Sequence, residues 1–425
     1  MHNLVTNLVS DIKIPQMIRI RQKFPRIKIE PSVIPSVIET EMQKGCLEDA
    51  IHPGMRIAIT AGSRGICNIA LITREIVKNV KKKGGIPFIV PAMGSHGGAT
   101  AAGQVDILTE YGITEEYTGA PILSSMETVQ IGNTTEGHKV FIDKNAASAD
   151  GIIVCGRVKP HTCFRGEYES GLMKMMAIGL GKQYGASICH TDGFGHMAHM
   201  IPLFGKTILK NASICMGIAL VENPFDETYK ITALHPSQFE AEEPKLLKES
   251  ASLMPRIRFD SSDILIVDKI GKNFSGDGMD PNITGTFASS YASGNFHAKQ
   301  VAVLDLSDES HGNGNGIGTA DVTTKRFSEK MIPEISYPNA ITARLLKCCN
   351  IPVVMENDRA AIQVLIKTSV GINPDNPRIV RIPNSLSIEH IMISTAMREE
   401  AENNPDIVIE SDPFDLSFNE EGNLF

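Results

Sequence analysis

Three times before Gly166 this chain runs from a short, continuously apolar segment straight into a polar, glycine-rich loop. Arg56–Thr60 (RIAIT) leads into AGSRG, Ile86–Ala92 (IPFIVPA) into MGSHGGAT, and Gly151–Cys155 (GIIVC) into GRVKPHTCFRG. Short unbroken apolar runs are strands buried on both faces, the condition of a parallel sheet covered by helices on each side. Between the first two runs, Asn68–Lys83 carries Ile69, Ile72, Ile76 and Val80 on one helical face, with Gly84 and Gly85 as the stop. Ser213–Val221, Ile264–Val267, Val301–Leu304 and Ile351–Met355 are further strand candidates. The alternation predicts an α/β protein. At 425 residues it is long enough for two α/β domains, with mostly parallel, Rossmann-like sheets and an interdomain cleft. The charged stretch Glu240–Glu249 and Pro255 precede a fresh strand, so the expected domains are 1–258 and 259–425.

Charge narrows the partners less than its total suggests. The formal charge is −8, but nine acids and a single base, Arg398, fall between Arg398 and Phe425, so the rest of the chain is balanced. That acidic end reads as a loosely held tail. No basic, aromatic-studded stripe suggests nucleic acid, and no apolar run reaches the roughly 18 residues of a membrane span. Eight cysteines without a CxxC pair, behind an N-terminus lacking a leader pattern, fit a reducing cytoplasm. A small molecule is the expected partner.

Ligands of open parallel sheets bind beyond the carboxyl ends of the strands. The loops there carry Ser63 and Arg64, Ser95 and His96, and Arg157, Lys159, His161 and Arg165. Gly94, Gly97 and Gly98 let backbone approach a ligand and leave the His96 ring uncrowded. A lone loop histidine is otherwise commonly structural, and for these two both roles stay open. Four of twelve histidines (His161, His190, His196, His199) lie close in sequence, which raises zinc, although HExxH and zinc-finger spacing are absent. Lys174 sits among Met173, Met175 and Met176; an amine in such surroundings either snorkels or is made nucleophilic by desolvation. Two glycine-rich segments of the second half, Asp268–Gly285 and Asp308–Arg326, match no nucleotide motif but could present N–H groups to an anion. Lys272, Asp280 and Asn282 are candidates there for closing over a substrate or a cofactor phosphate.

Taken together, MGSHGGAT, VKPHTCFRGEYESGLMK, the following His190 and the AGSRG loop resemble the nickel-dependent lactate racemase family, whose members racemise or epimerise 2-hydroxy acids. The resemblance implies that His96 and His161 form the acid/base pair. It implies that Lys174 holds a pyridinium-derived nickel-pincer mononucleotide through a thioamide, and that His190 is the protein's nickel ligand. It places Arg64 as the substrate-contacting arginine; Ser63 and Arg165 are further substrate-binding candidates, and Lys272 and Asn282 are the loop candidates for the cofactor. Hydride would pass reversibly between C2 and the cofactor, through a planar keto acid. Separate cofactor-building enzymes would have to load the protein. A soft donor set with one imidazole suits Ni(II), and a guanidinium suits a carboxylate.

Two departures stand out: the family's aspartate before the arginine is missing from Ala61–Arg64, and the His161–Lys174 segment is a few residues longer. Both imply a substrate other than lactate, larger or more polar. The alternatives are a zinc- or manganese-dependent hydrolase or lyase using the His161–His199 cluster, and a non-catalytic binder of a phosphorylated metabolite.

Overall fold

The structure is a computed structural model that describes residues 4–425 except Cys46 and Arg64. The chain forms two compact units, Pro25–Met254 and Met1–Phe24 with Pro255–Phe425. A single cut at 258/259 therefore does not describe the N-terminus. Strand β1 (Met17–Gln22) lies antiparallel between β14 (His390–Ser394) and β15 (Ile407–Ile409). Met17, Ile18 and Ile20 are fully buried, so this strand needs cover on both faces and finds its neighbours at the far end of the chain.

Within Pro25–Met254 the strands are β2 (Arg56–Ala61), β3 (Ile86–Pro91), β6 (Gly151–Arg157), β7 (Ile214–Glu222) and β8 (Thr228–Leu234), with a separate hairpin of β4 (Thr128–Asn133) and β5 (Lys139–Asp143). The sheet order is β3-β2-β6-β7-β8; the first four are parallel and β8 is antiparallel. Alternate residues of the strands feed two cores. Ile57 and Ile59 pack with Ile72, Ile76 and Val80 of helix Ile69–Lys82; Ala58, Val90, Ile152 and Val154 pack with Met173, Met176, Phe204 and Phe239 on the other side. The helix stops as expected, with Gly84 at φ 78° and the Gly85 N–H returning to Val80 O.

The second unit holds an eight-stranded sheet of order β12-β11-β10-β9-β13-β14-β1-β15, where β9 (Ser261–Ile270), β10 (His297–Leu306), β11 (Val322–Thr324), β12 (Val353–Met355) and β13 (Ile379–Ile382) are parallel. The acidic end is not a loose tail. Phe414, Leu416, Phe418 and Leu424 pack against the core of this unit, and Phe414 bridges to Met17. Its acids meet bases from elsewhere in the unit: Glu410 with Arg21 (3.1 Å) and His390 (2.9 Å), Glu400 with Arg378 (2.7 Å), Asp406 with Arg258 (3.2 Å). Apolar residues interleaved with the charges bury the segment, which charge counting alone hides. Among the described residues no helix is long and apolar enough to cross a membrane.

Candidate active site

Parallel pairing puts the carboxyl ends of β3, β2, β6 and β7 on one edge, so the loops carrying His96, Ser63 and His161 and the last residue of β7, Glu222, share it. Glu222 is a buried acid that fastens two of these elements: one carboxylate oxygen accepts from the Cys67 N–H (2.8 Å), the other from Arg157. Arg157 thus serves the scaffold. Tyr111 donates its hydroxyl to Ser63 O (3.1 Å), anchoring the loop after β2. Arg64, expected to contact substrate, lies outside the described residues.

The His96 loop rests on backbone freedom. Gly94, Gly97 and Gly98 all have positive φ, and a Cβ on Gly97 would lie 2.5 Å from the Gly103 carbonyl carbon. Thr100 then caps helix Ala101–Glu110 by accepting from the Gly103 N–H. His96 Nδ1 lies 2.7 Å from Met93 O. A carbonyl can only accept, so Nδ1 carries a proton and Nε2 is the basic nitrogen of the neutral ring.

The His161 loop rests on side chains. Lys159 and Ser170 exchange backbone hydrogen bonds (2.9 and 3.2 Å) and close it at its base. Inside, the buried Glu169 carboxylate accepts from the His161 N–H (2.6 Å) and the Gly166 N–H (3.2 Å) and faces Arg165 (3.4 Å). Arg165 also donates to the carbonyls of His161 and Phe164, so its guanidinium braces this loop. His161 Nδ1 accepts from the Cys163 N–H (3.0 Å), which leaves the neutral ring's proton on Nε2, opposite to His96.

Phe194 joins His161 to His190, its ring centroid lying 6.0 Å from the former and 5.6 Å from the latter. His190 ends helix Lys182–Cys189, and its Nδ1 is buried. Lys174, half-buried, closes the short turn Leu172–Lys174 and is followed by a π-helical stretch, Met175–Leu180. Single π turns commonly sit at functional sites. Burial pushes the Cys189 thiol up to about 12, and the Lys174 ammonium opposes that rise, so the lysine's charge reaches the residue next to His190. The start of the Lys174 turn is held by Glu243, which is buried, accepts from the Met173 N–H (3.0 Å), and is pushed to about 8 by desolvation. Gly171 makes this possible, since a Cβ there would lie 2.1 Å from Glu243 Oε1.

His196 and His199 are exposed, and His199 pairs with Glu136 (2.7 Å). Among the described residues no three His, Cys, Asp or Glu side chains gather to hold a metal, so the histidines from 161 to 199 do not form there the cluster that the alternative zinc or manganese reading requires. In the other unit, Lys272 Nζ donates to Gly276 O (2.6 Å) and Asn282 Nδ2 to Asp280 Oδ1 (2.9 Å). The two glycine-rich loops there pack on each other: Asn315 donates to Gly276 O (3.1 Å), and a Cβ on Gly316 would lie 1.7 Å from Asp277 O. Close packing accounts for that glycine without an anion.

Residues the sequence reading passed over are Glu222, Glu243 and Phe194, while Glu169 counts there only as one of the extra polar groups of the longer His161–Lys174 segment. Glu222, directly after the apolar run IALV, offered the one available signal: an acid at a strand's carboxyl end.

Comparison with known proteins follows the same line. Residues 7–196 match the family model of the lactate racemase N-terminal domain. No curated protein matches the chain. Among solved structures, the lactate racemase apoprotein from Thermoanaerobacterium thermosaccharolyticum is similar with a TM-score of 0.51 at 17% identity, over 88% of this chain and 99% of that one, a likeness of fold.

Proposed function

We propose that the protein, whose residues 7–196 match the family model of the lactate racemase N-terminal domain, racemises or epimerises a 2-hydroxy acid, with His96 and His161 as its acid/base pair. The observation that carries this reading is that parallel pairing brings the His96 and His161 loops to one sheet edge, with His96 Nδ1 facing the Met93 carbonyl and His161 Nδ1 accepting from the Cys163 N–H. A nickel-pincer mononucleotide fits the donors present. Such a group carries its own metal donors and would need one imidazole from the chain, for which His190, its Nδ1 buried, is the proposed ligand. Lys174, half-buried at the end of the turn that leads into the π-helical stretch, is the proposed point of covalent attachment.

The chemistry required of the cofactor is reversible acceptance of hydride from C2. The chain's own residues handle the rest. In one direction His96 enters neutral and takes the hydroxyl proton at Nε2, while His161 enters as imidazolium and gives its Nε2 proton to the keto oxygen from the opposite face, ending neutral; the other direction starts from the exchanged states. Returning a proton from the opposite face calls for His161 as imidazolium, whose Nδ1 can no longer accept from the Cys163 N–H. The two directions thus differ in what the His161 loop must do. Arg64 and the Ser63 hydroxyl are the proposed partners of the substrate carboxylate, and Lys272 and Asn282 remain proposed cofactor contacts. The longer His161–Lys174 segment and the missing aspartate before Arg64 support a hydroxy acid larger or more polar than lactate as the substrate. The protein's partners are then that acid and the enzymes that build the cofactor.

The test is interconversion of C2-deuterated hydroxy acids by protein produced together with cofactor-building enzymes. Stereoisomers should interconvert with deuterium kept at C2, nickel near one per chain, and added mass on Lys174. Full activity with an unmodified Lys174, or deuterium washed out to solvent, would overturn the mechanism.

A further inference from the structure

Beneath the His96 loop lies a charged pair that takes no part in the chemistry above. Lys182 and Asp143 are both fully buried, 3.2 Å apart. The Lys182 ammonium also donates to Pro91 O, the last residue of β3, and to Gln104 Oε1 (3.0 Å). The ammonium therefore hydrogen-bonds two acceptors and lies against the Asp143 carboxylate as an ion pair. The Gln104 amide, itself fully buried, has its oxygen turned to the ammonium and its NH₂ turned to Gly94 O (3.0 Å) and His96 O (3.3 Å). The ammonium fixes which way this amide points, and the amide in turn holds the two carbonyls that flank the catalytic loop.

Lys182 also stands at a break. It has φ 52°, a left-handed conformation rare outside glycine, at the junction between the π-helical stretch Met175–Leu180 and helix Lys182–Cys189. The left-handed backbone is a cost to any residue but glycine, and the desolvated charge is a second cost, which an apolar side chain would avoid. Buried ion pairs can often be replaced by apolar residues without loss of stability, so stability alone does not account for this one. The segment it interrupts is the one running from Lys174 to His190. A second, weaker link runs the same way, from the Gly94 N–H to Gly179 O (3.4 Å).

We propose that Lys182, with Asp143 and Gln104, is a positioning residue that sets the His96 loop in register with the helical segment carrying Lys174 and His190. The inference rests on the roles proposed above for those three side chains. Asp143 belongs to the device twice: Oδ2 faces Lys182, and Oδ1 accepts from the Ala146 N–H (2.9 Å), fixing the carboxylate at the end of β5.

The test uses two variants of the full chain. Lys182→Met/Asp143→Asn removes both charges, and Gln104→Met cuts the relay while leaving the ion pair intact. The readout is the ¹⁵N tautomer of the His96 ring in the apoprotein, assigned by loss of its signal in His96→Gln. Wild type should hold the Nδ1–H form that donates to Met93 O, and both variants should give a mixture of tautomers. In loaded protein kcat should fall at least tenfold with KM little changed and the mass on Lys174 retained. A wild-type tautomer and wild-type kcat in Gln104→Met would overturn the proposal even if that variant melts earlier, and this arm decides alone should the double variant not fold. Because the tautomer is read without cofactor or substrate, a wild-type protein that interconverts no hydroxy acid would count against the proposed function and leave this result legible.

Discussion

The loop that carries His96 is built from glycines, with Gly94, Gly97 and Gly98 at positive φ, whereas the loop that carries His161 is built around one buried carboxylate, Glu169. In the first, the backbone goes where only glycine goes cheaply, and support comes from below through Gln104. In the second, the backbone is ordinary, and support comes from within, as Glu169 and Arg165 satisfy the loop's own N–H and C=O groups. The difference reaches the rings: the first loop offers His96 a carbonyl, the second offers His161 an N–H, and the tautomers follow. Under the proposed function the two histidines thereby start with their Nδ1 atoms in unlike hydrogen bonds, one facing a carbonyl and the other an N–H.

The largest effects should come from removing either ring. His96→Ala and His161→Ala should each lower interconversion by ~10²–10⁴-fold, the usual contribution of a positioned acid or base, while nickel and the mass on Lys174 are retained. His190→Ala should do the reverse and release nickel. Metal loss in either of the first two, measured by elemental analysis, would mean that ligand and base had been exchanged.

Next come the supports, which should fail independently. Gly97→Ala places a methyl 2.5 Å from backbone at Gly103 and should disturb only the His96 loop; Glu169→Ala strands two N–H donors and Arg165 and should disturb only the His161 loop. Losing the carboxylate's hydrogen bonds should cost about 2–3 kcal/mol and roughly 10- to 100-fold in kcat, read by thermal melts and turnover. Hydrogen exchange separates the two variants: protection should drop at residues 94–104 in one and at 161–170 in the other. A common loss in both would show that the loops are a single structural unit.

How far this site could be read from sequence divides along the same line. The glycine-built loop was legible, because RIAIT, IPFIVP and GIIVC announce buried strands and a glycine run after a strand announces unusual backbone; the observed strands begin at the same residues, 56, 86 and 151. The carboxylate-built loop was not. Glu169 looks like any solvated acid until Lys159 and Ser170 pair and enclose it, and Arg165 looks like a substrate cation until its partners are seen. Glu243 lies in a charged stretch, EAEEPK, where nothing local marks one acid as buried. The acidic end and β1 misled for a related reason: their partners lie at opposite ends of the chain, and no local pattern records a pairing so distant.

Glu169 and Glu243 are both buried carboxylates that accept backbone N–H bonds, yet only Glu169 faces a guanidinium. Desolvation therefore dominates at Glu243 and raises it from 4.5 to about 8. In the native protein it stays protonated over a range where the unfolded chain has already ionised. The stability it contributes is complete below about pH 4.5 and is lost progressively as pH rises towards about 8, where the native carboxyl ionises as well. Glu243→Gln keeps an acceptor for the Met173 N–H and removes the titration. Its melting temperature should fall less than that of wild type between pH 5 and pH 8, and at pH 8 it should melt a few degrees higher, about 2–4 °C for each kcal/mol, with kcat barely altered. Thermal melts of both proteins across that range decide it. Parallel pH profiles would place an ionised Glu243 in the native state, and the contrast between a carboxylate with a cation and one without would then not govern how this helix turn is held.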